Sequence, residues 1–490
     1  MKPPRLAPGR RRRQRGSYVV MFALMLTPLI LLGGMAIDMS MAFKRRTDLQ
    51  SAVDAAALAA ARALDGTAAG IDNADLRAAA IINASFFGFT RMSWSSAALR
   101  FSDSPDRNGN WLPANAAGSG ANVSRMRYAR VDTAGLDSVY GIVRTVFAGA
   151  IDGAYATLNV NASAVAGRSQ VQVTPLAICA LDQQRFGAHN TPDGTLEWIE
   201  HGFRRGVNYN LLNLNPVGTA PLHFQVNPVD FPPATESASN RALDALRPMV
   251  CSGSMALPFL PDNTSVYVRQ DFPSSLASEL NSRFGSVAGC DPAAAPADTN
   301  VKEYTLPAFW MELPAGPPVP TRIEGSALSH VMDNRLVTIA EERFKVPLTG
   351  QASYGPLWAF SKPLRYQGAT PASPGTKFLK SSWSSLYPVD AGTVKTNATA
   401  PGDNDVMPYD STLPAFRTAP GAPSAPGLRG RRILNIPLLS CPVTGGTATV
   451  LAVGRFLMTS RATSSPGAVF GEFGGLATPA NLVSTTVLFR

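Results

Sequence analysis

The feature that most constrains the fold is a run of twenty residues without a formal charge, residues 18–37, which begins at Tyr18 and ends at Ile37. As a helix rising ~1.5 Å per residue, this run would extend roughly 30 Å, close to the thickness of the hydrocarbon core of a bilayer. Pro28 and two glycines lie within it. Membrane helices tolerate such residues, because neighbouring groups satisfy the backbone atoms that proline leaves free. We therefore predict one membrane-spanning helix.

Charged residues flank this run asymmetrically. After it, Asp38 comes first, and the next three cations are partly offset by Asp48. Because short cytoplasmic segments retain arginine and lysine, the N-terminus is predicted to stay in the cytoplasm and the chain from about Asp38 onward to be exported. A cleaved secretory signal is the alternative, but the apolar part of such a signal is shorter, about 7–15 residues, so an uncleaved signal-anchor is favoured. The cations before the run, which no acidic residue accompanies, are Lys2, Arg5, Arg10, Arg11, Arg12, Arg13 and Arg15.

The basic N-terminus also explains most of the net charge. The formal net charge is +10, and residues 1–16 supply seven of these positive charges. A second arginine cluster, LRGRRIL at residues 428–434, leads into a strand-like run, and a solvated strand entrance is favoured there over a phosphate site. The chain lacks interleaved aromatic residues and a recognisable nucleic-acid-binding motif. No nucleic-acid partner is predicted.

The four cysteines all lie on the side of the chain that is predicted to be exported. They are Cys179, Cys251, Cys290 and Cys441. An oxidising compartment would permit disulfides, and no pair shows the C-x-x-C spacing typical of zinc or redox sites. Structural disulfides are therefore predicted, and no metal site. Four cysteines allow three pairings, among which the sequence does not decide; we favour Cys251 with Cys290 and Cys179 with Cys441.

After the apolar run, changes in composition divide the rest of the chain into segments. The stretch DLQSAVDAAALAAARALDG continues the helix, because alanine is the best helix former, and Gly66 is a typical helix-ending residue. A second helix at about residues 73–87 and short β-like runs follow, and then apolar strands alternate with proline- and glycine-rich loops. We predict an α+β fold with four segments: a basic tail (1–16), a transmembrane and alanine-rich helix (17–66), an α+β membrane-proximal domain (67–170) and a β-rich exported domain with few helices (171–490).

Two further stretches have helical features. LDSVYGIVRTVFAG, from Leu136, places Val139, Ile142, Val143 and Val146 at helical spacing and predicts an amphipathic helix. ALSHVMDNRLVTIAEERF, at residues 327–344, is interpreted as one helix among the strands.

The first segment combines Arg-Gly, the apolar run, an acidic residue just beyond it, and a basic stretch with glutamine that leads into DAAALAAA. In this combination it resembles the N-terminal module of the TadG-like proteins of the tight-adherence (Flp) pilus assembly system. The matching positions are Arg15, Gly16, Asp38, Gln50, Asp54 and residues 55–61.

The resemblance implies a membrane-anchored accessory component of the pilus assembly or secretion machinery, in the bacterial inner membrane with most of the chain in the periplasm. It implies contacts with other pilus-assembly proteins, through the alanine-rich helix and the exported domain, and no cofactor. The sequence departs at two points from patterns found in related proteins. The fifth residue after Gly16 is Met21, whereas processed pilins carry glutamate there, and DMSMA at Asp38 does not complete the D-x-S-x-S metal motif of some members.

The residues give little support for catalysis. A hydrolase needs a nucleophile with an acid or base in reach, and the chain has no zinc-protease spacing, no P-loop and no complete nucleophile elbow. We therefore predict a non-enzymatic protein that acts by protein–protein contact. A surface-exposed adhesin or binding module is the alternative, and a membrane-anchored hydrolase a further one. The histidines that such a hydrolase could use are His189, His201, His223 and His330.

Overall fold

In the computed structural model, the chain forms two compact units. The first unit contains Met1–Gly167 and Thr486–Arg490, and the second contains Arg168–Thr485. The second unit is therefore an insertion between two segments of the first. The structure describes residues 17–489 except 104, 106–108, 169, 192, 219, 233–234, 258–259, 261, 288, 306–307, 313–328, 333–334, 339–353, 369–372, 388–392, 397–400, 402–405 and 483–485.

In the first unit, helices and a small sheet share one apolar core. The helices are α1 (Ser17–Ala63), α2 (Ala68–Ala84), α3 (Ala114–Ala117) and α4 (Phe147–Ile151). The strands, numbered along the whole chain, are β1 (Phe86–Phe87), β2 (Thr90–Arg91), β3 (Leu99–Ser102), β4 (Tyr128–Asp132), β5 (Ile142–Arg144), β6 (Thr157–Asn159), β7 (Ser163–Arg168) and β27 (Thr486–Phe489). The main sheet of this unit has the order β27–β7–β4–β3, while β1–β2 and β5–β6 form separate antiparallel pairs.

A glycine and a capping threonine connect α1 to α2. Gly66 has a φ of +81°, a conformation that glycine adopts without steric cost and that turns the chain after α1. The Thr67 hydroxyl then accepts a hydrogen bond from the Gly70 N–H at 3.0 Å, which caps the start of α2. Small side chains let the two helices share a core. The fully buried alanines of these two helices are Ala56, Ala57, Ala60 and Ala61 of α1 and Ala74 and Ala78 of α2.

The second unit consists mainly of strands. They are β8 (Leu176–Cys179), β9 (Phe186–Asn190), β10 (Leu196–Glu200), β11 (Phe203–Arg204), β12 (Val207–Asn210), β13 (His223–Val226), β14 (Thr264–Gln270), β15 (Met311–Glu312), β16 (Ser329–Met332), β17 (Arg335–Thr338), β18 (Tyr354–Pro356), β19 (Leu364–Gln367), β20 (Ser373–Lys377), β21 (Thr393–Val394), β22 (Ile433–Leu439), β23 (Thr447–Met458), β24 (Thr463–Ser464), β25 (Gly467–Ala468) and β26 (Phe470–Leu476). The helices are α5 (Leu243–Ser252), a 3₁₀ segment (Ser274–Phe284), α6 (Trp383–Leu386) and α7 (Pro479–Leu482).

The largest sheet of the second unit closes partly on itself. Its order in the described residues is β14–β13–β8–β22–β23–β26–β12–β18, and β14 also pairs with β23. Strands β14, β13, β8, β22 and β23 therefore form a closed ring. Because side chains alternate between the faces of a strand, β8 serves two apolar clusters: Leu176 and Ile178 lie in one, while Ala177 and Cys179 lie in the other.

Two disulfides connect distant parts of the second unit. Cys179 at the end of β8 is bonded to Cys441, which follows β22, and the two strands pair in parallel just before these residues. Cys251 in α5 is bonded to Cys290, 39 residues further along the chain. This is the pairing that we favoured from the sequence. The first bond closes a segment of 262 residues, and closing a longer loop removes more conformational entropy from the unfolded chain.

The predicted α+β fold class is confirmed, since a long apolar helix precedes a β-rich region with few helices. The structure places the segments predicted as 17–66 and 67–170 in one unit, to which the end of the segment predicted as 171–490 returns as β27. The physical reason is that the alanine-rich part of α1 buries its face only against α2 and the sheet.

Both additional helices predicted from the sequence are wrong for the most part. Residues 136–149 form a 3₁₀ turn (Ser138–Gly141), the strand β5 and only then the start of α4. Pairing of β5 with β6 outweighs the helical periodicity. In residues 327–344, the described parts 329–332 and 335–338 are the antiparallel strands β16 and β17, and the rest lies outside the described residues. Asp333 and Asn334 between these strands are residues that favour turns.

A buried carboxylate organises one loop of the second unit. Glu472 in β26 is fully buried and accepts hydrogen bonds from the backbone N–H groups of Ala359, Phe360 and Ser361, at 2.6, 2.7 and 2.9 Å. Desolvation by burial raises the pKa of Glu472 from its ordinary value of 4.5 to about 7, although the three hydrogen bonds act in the opposite direction. The fold therefore retains the proton of this carboxyl at a pH where the unfolded chain has lost it.

The consequence is a pH dependence of stability. Between pH 4.5 and about 7 the unfolded chain binds fewer protons at Glu472 than the folded chain does, so this group makes the free energy of unfolding fall as the pH rises, by about 1–3 kcal/mol in total. The contribution of Glu472 to stability is present below pH 4.5 and lost above about 7.

We expect Glu472→Gln to reduce the difference in unfolding free energy between pH 5 and pH 8. Urea unfolding of the full chain in detergent, followed by tryptophan fluorescence, measures this difference. Glu312→Gln, at an exposed glutamate, is the control, and the same pH dependence in both variants would contradict the prediction.

Candidate functional site on the long N-terminal helix

The environment of α1 changes along its length. In the described residues, one helix, Tyr18–Ala63, is long and apolar enough to cross a membrane, by length and composition. Its N-terminal part exposes nearly all of its large apolar side chains, including Leu24, Leu29 and Leu32, each about two-thirds exposed or more. Its C-terminal part buries Leu49, Val53 and the alanines. Apolar side chains exposed in this density mark a surface that a membrane or another protein covers.

The change occurs at a row of buried residues spaced one helical turn apart. Gly34, Asp38 and Ala42 are buried, whereas their neighbours on the helix are exposed. Residues four apart lie on the same face of a helix, so these three form one line along α1. Against this line the first unit places the segment 146–148, at the start of α4.

Asp38 holds that segment through three hydrogen bonds. Its Oδ1 accepts from the backbone N–H of Val146 at 3.0 Å, and its Oδ2 accepts from Phe147 and Ala148, both at 2.8 Å. The first N–H groups of a helix have no partner within the helix, so the carboxylate of one helix caps the beginning of another. The Asp38 side chain is only 3% exposed.

Gly34 provides the space for this contact. A Cβ atom at Gly34 would lie 2.2 Å from two ring carbons of Phe147, whereas a Cβ at Gly33 would meet nothing within 4 Å. The Phe147 ring therefore packs directly on the backbone of α1 within the apolar run. Sequence reasoning found Asp38 but missed Gly34; the signal was its position one turn before the acidic residue.

Gln50 and Asp54 connect the next part of α1 to the sheet. The Gln50 Nε2 donates to the Asp54 Oδ1 at 2.7 Å and to the backbone carbonyl of Ser163 at 3.1 Å. Ser163 begins β7. Two of the motif positions after the apolar run therefore fix α1 in its register on the sheet.

The buried alanines restrict how α1 can meet a partner. From the resemblance, we expected the alanine-rich helix to be a contact surface for other proteins. Ala56, Ala57, Ala60 and Ala61 are 0% exposed because they face the core of their own unit. Ser51, Ala55 and Arg62 remain exposed on the opposite side. This face of α1, not the alanine core, is the part that another chain can reach.

The remaining candidate residues lie outside the described residues or in the second unit. The topology arginines Arg10, Arg11, Arg12, Arg13 and Arg15 lie outside the described residues, and the cysteines and histidines belong to the second unit. Among the described residues, no group of three or more His, Cys, Asp or Glu side chains could hold a metal ion. His189, His201, His223 and His330 lie on β9, after β10, on β13 and on β16, respectively.

The docking of α4 can be tested with paired glycine variants. We expect Gly34→Leu to displace Phe147 and to increase hydrogen exchange at the amides of residues 146–148 on the order of ten-fold. Gly33→Leu adds the same side chain one position earlier, where no atom lies within 4 Å of the new Cβ, and should leave exchange unchanged. Exchange is measured by mass spectrometry on the full chain in lipid nanodiscs. Equal exchange in the two variants would contradict the packing described here.

Asp38→Ala should raise exchange at the same amides, because it leaves three N–H groups without an acceptor. Asp48→Asn, on the same helix but paired with Arg45, is its control.

Comparison with known proteins relates only the first part of the chain to a family. Residues 16–63 match the Tad family model, described as putative Flp pilus-assembly TadE/G-like. No curated protein and no solved structure matches the chain at a significant level. The match begins at Gly16 and ends with α1, and it includes Gly34, Asp38, Gln50 and Asp54. Residues 16–63 are therefore similar to the Tad module, whose family is described as putative Flp pilus-assembly TadE/G-like.

Proposed function

We propose that the protein is a membrane-anchored, non-enzymatic accessory component of Flp pilus assembly, which acts by contact with other proteins of the machinery. The observation that supports this most directly is the match of residues 16–63 to the Tad family on a helix whose apolar half is exposed. The arginines before the span and the two disulfides in the second unit support an inserted chain with its N-terminus in the cytoplasm and its bulk in the periplasm.

Partners are proposed to contact the first unit on the outer face of α1 and on the β1–β2 hairpin. Ser51 and Ala55 are exposed on this helix, and Phe89, between β1 and β2, is fully exposed. Arg45 of α1 lies over the ring of Phe87 in β1, with 5.6 Å between its Cζ and the ring centroid. The hairpin therefore lies beside α1 at Arg45, before the exposed positions Ser51 and Ala55 in the chain.

Crosslinking in cells tests this role. A photo-reactive amino acid at Ser51 or at Phe89 is expected to capture other pilus-assembly proteins in a host that carries the pilus genes. The same residue at Ala57, which is 0% exposed, should capture none and serves as the control. Capture of lipid alone from both exposed positions would contradict the proposed contacts.

The orientation is tested separately. An alkaline phosphatase fused after Gly66 should be active, because the enzyme requires an oxidising compartment. A fluorescent reporter that lights up after Gly66 only in the cytosol would contradict the proposed topology.

We further propose that α4 rests in the interface of the membrane. Phe147 packs on Gly34 within the apolar run, so α4 must lie at the depth of that part of α1. Around it, Val146, Ile151 and Tyr155 are each more than half exposed, which suits the boundary between headgroups and acyl chains better than water. The Asp38 hydrogen bonds satisfy the first N–H groups of α4, which such a medium requires.

A spin label can measure this depth. The described cysteines are all in disulfides, so Ile151→Cys introduces one labelling site. In nanodiscs we expect its label to be more accessible to oxygen than to a water-soluble nickel complex. Ala69→Cys, exposed at the start of α2, should show the reverse, because it lies roughly 40 Å further along the helix axis than Asp38 at 1.5 Å per residue. Aqueous accessibility at both positions would contradict the interfacial placement.

A further inference from the structure

A concave pocket in the second unit is surrounded by arginines. Its volume is about 210 Å³. Four arginines line it, and no acidic residue is among the described residues of its lining. The polar part of the lining consists of Arg283, Arg429, Arg431 and Arg455 together with Gln172, Thr174, Ser252, Asn435 and Asn481. We call it the arginine pocket.

Two of these cations are built into the protein without an acidic partner in their hydrogen bonds. Arg283 is 1% exposed, and its Nη1 donates to the carbonyl oxygens of Val250 at 3.1 Å and Leu280 at 3.5 Å. Arg431 donates from Nε to the Pro296 carbonyl at 3.0 Å and from Nη2 to the Cys251 carbonyl at 2.6 Å. Carbonyl groups orient both guanidinium groups but do not neutralise their charge. The carboxylate of Asp298, which is not hydrogen-bonded to Arg431 in the described residues, favours the charged form of Arg431.

The two cations also repel each other. Burial first, and then the neighbouring charge of Arg431, lower the pKa of Arg283 well below its usual range. The Nε of Arg283 is a buried donor without a hydrogen-bond partner among the described residues. A bound anion stabilises a buried cation of this kind, because it offsets the two positive charges and can accept a hydrogen bond from the unused donor.

The other side of the pocket provides two more cations and an acceptor. Arg455 on β23 is partly exposed, and its Cζ lies 5.4 Å from the centroid of the Phe360 ring. Arg429 at the rim is 74% exposed and pairs with Asp410 at 2.8 Å. Asn435 on β22 donates from Nδ2 to the Gln172 carbonyl at 2.7 Å. Its Oδ1 is buried without a partner among the described residues.

We propose that the arginine pocket binds a small oxyanion, a molecule with a phosphate or carboxylate group and a neighbouring hydroxyl. The guanidinium groups would receive the oxyanion, for which arginine offers several donors in a planar arrangement. The hydroxyl would donate to the Asn435 Oδ1, the acceptor that the protein leaves unused. A pocket of about 210 Å³ has room for a sugar-sized acid.

The three arginines of the LRGRRIL cluster have different environments. The sequence favoured a solvated strand entrance, but only Arg429 fits that description. Arg432 is 0% exposed and lies over the rings of Phe284, Tyr304 and Tyr409. It fixes the strand β22, while its neighbours Arg429 and Arg431 line the pocket.

Calorimetric titration of the full chain in detergent tests the site. The probes are inorganic phosphate, glucose 6-phosphate and glucuronate, with glucose as the neutral analogue and sodium chloride at matched ionic strength. We expect at least one oxyanion to bind and glucose not to bind, and the stronger of glucose 6-phosphate and glucuronate identifies the acid. Affinity should fall as salt rises, because partly exposed charges are screened. No heat beyond that of chloride for any oxyanion would overturn the proposal.

Variants locate the binding in the pocket. R429Q/R455Q should weaken oxyanion binding at least ten-fold, and the single variant R429Q, at an exposed side chain, should weaken it about three-fold, as removing one cation near an anion does in a partly solvated site. R417Q removes an exposed arginine of the same unit that does not line the pocket and should leave the affinity unchanged. The melting temperature of each variant checks that it is folded. Equal affinities in R429Q and R417Q would refute the assignment.

Discussion

The structure of the first unit depends on one helix whose two parts present different surfaces. The N-terminal part of α1 leaves its leucines and methionines exposed, while the C-terminal part packs alanines against α2 and a sheet. No soluble environment favours the first part, and no bilayer is needed for the second. The transition is fixed at Asp38, where a buried carboxylate accepts three backbone hydrogen bonds from a distant segment. A polar anchor at this point fixes the position of the folded unit along the helix.

The motif residues in the segment that matches the Tad family therefore have structural roles within the chain itself. Asp38 caps α4, Gln50 bonds to the start of β7, and the alanines form a core with α2. Alanines let two helices pack closely, but each alanine buries little apolar area. Polar contacts with fixed geometry, such as those of Gln50, therefore help to set the register of α1. Residues 16–63 are therefore the part of the unit that holds its other elements together, and the outer face of α1 is the face left exposed.

The second unit tolerates charges in its interior by surrounding them with fixed dipoles and rings. Arg432 donates to the carbonyl oxygens of Met458, Asn300 and Lys302, and Glu472 accepts from three backbone N–H groups. A buried ionised group is costly unless such partners compensate for lost hydration. Arg432 meets this condition with partners inside the protein, and Glu472, whose pKa burial raises to about 7, retains its proton in the fold at lower pH. The cations of the arginine pocket meet the condition only in part.

The sequence by itself determined the elements whose signals are local. Twenty uncharged residues and a basic flank predict a membrane helix in any tertiary context, and alanine content predicts its extension. Residues 136–149 and 327–344 could not be assigned in this way, because pairing with a neighbouring strand decides between helix and strand in short apolar segments. Tertiary structure alone decided that Phe147 packs on the backbone of Gly34 and that β27 pairs with β7 in the first unit. It also decided that arginines from three separate segments line one pocket. The physical reason is that close packing and the pooling of like charges depend on residues far apart in the chain, which no local periodicity records.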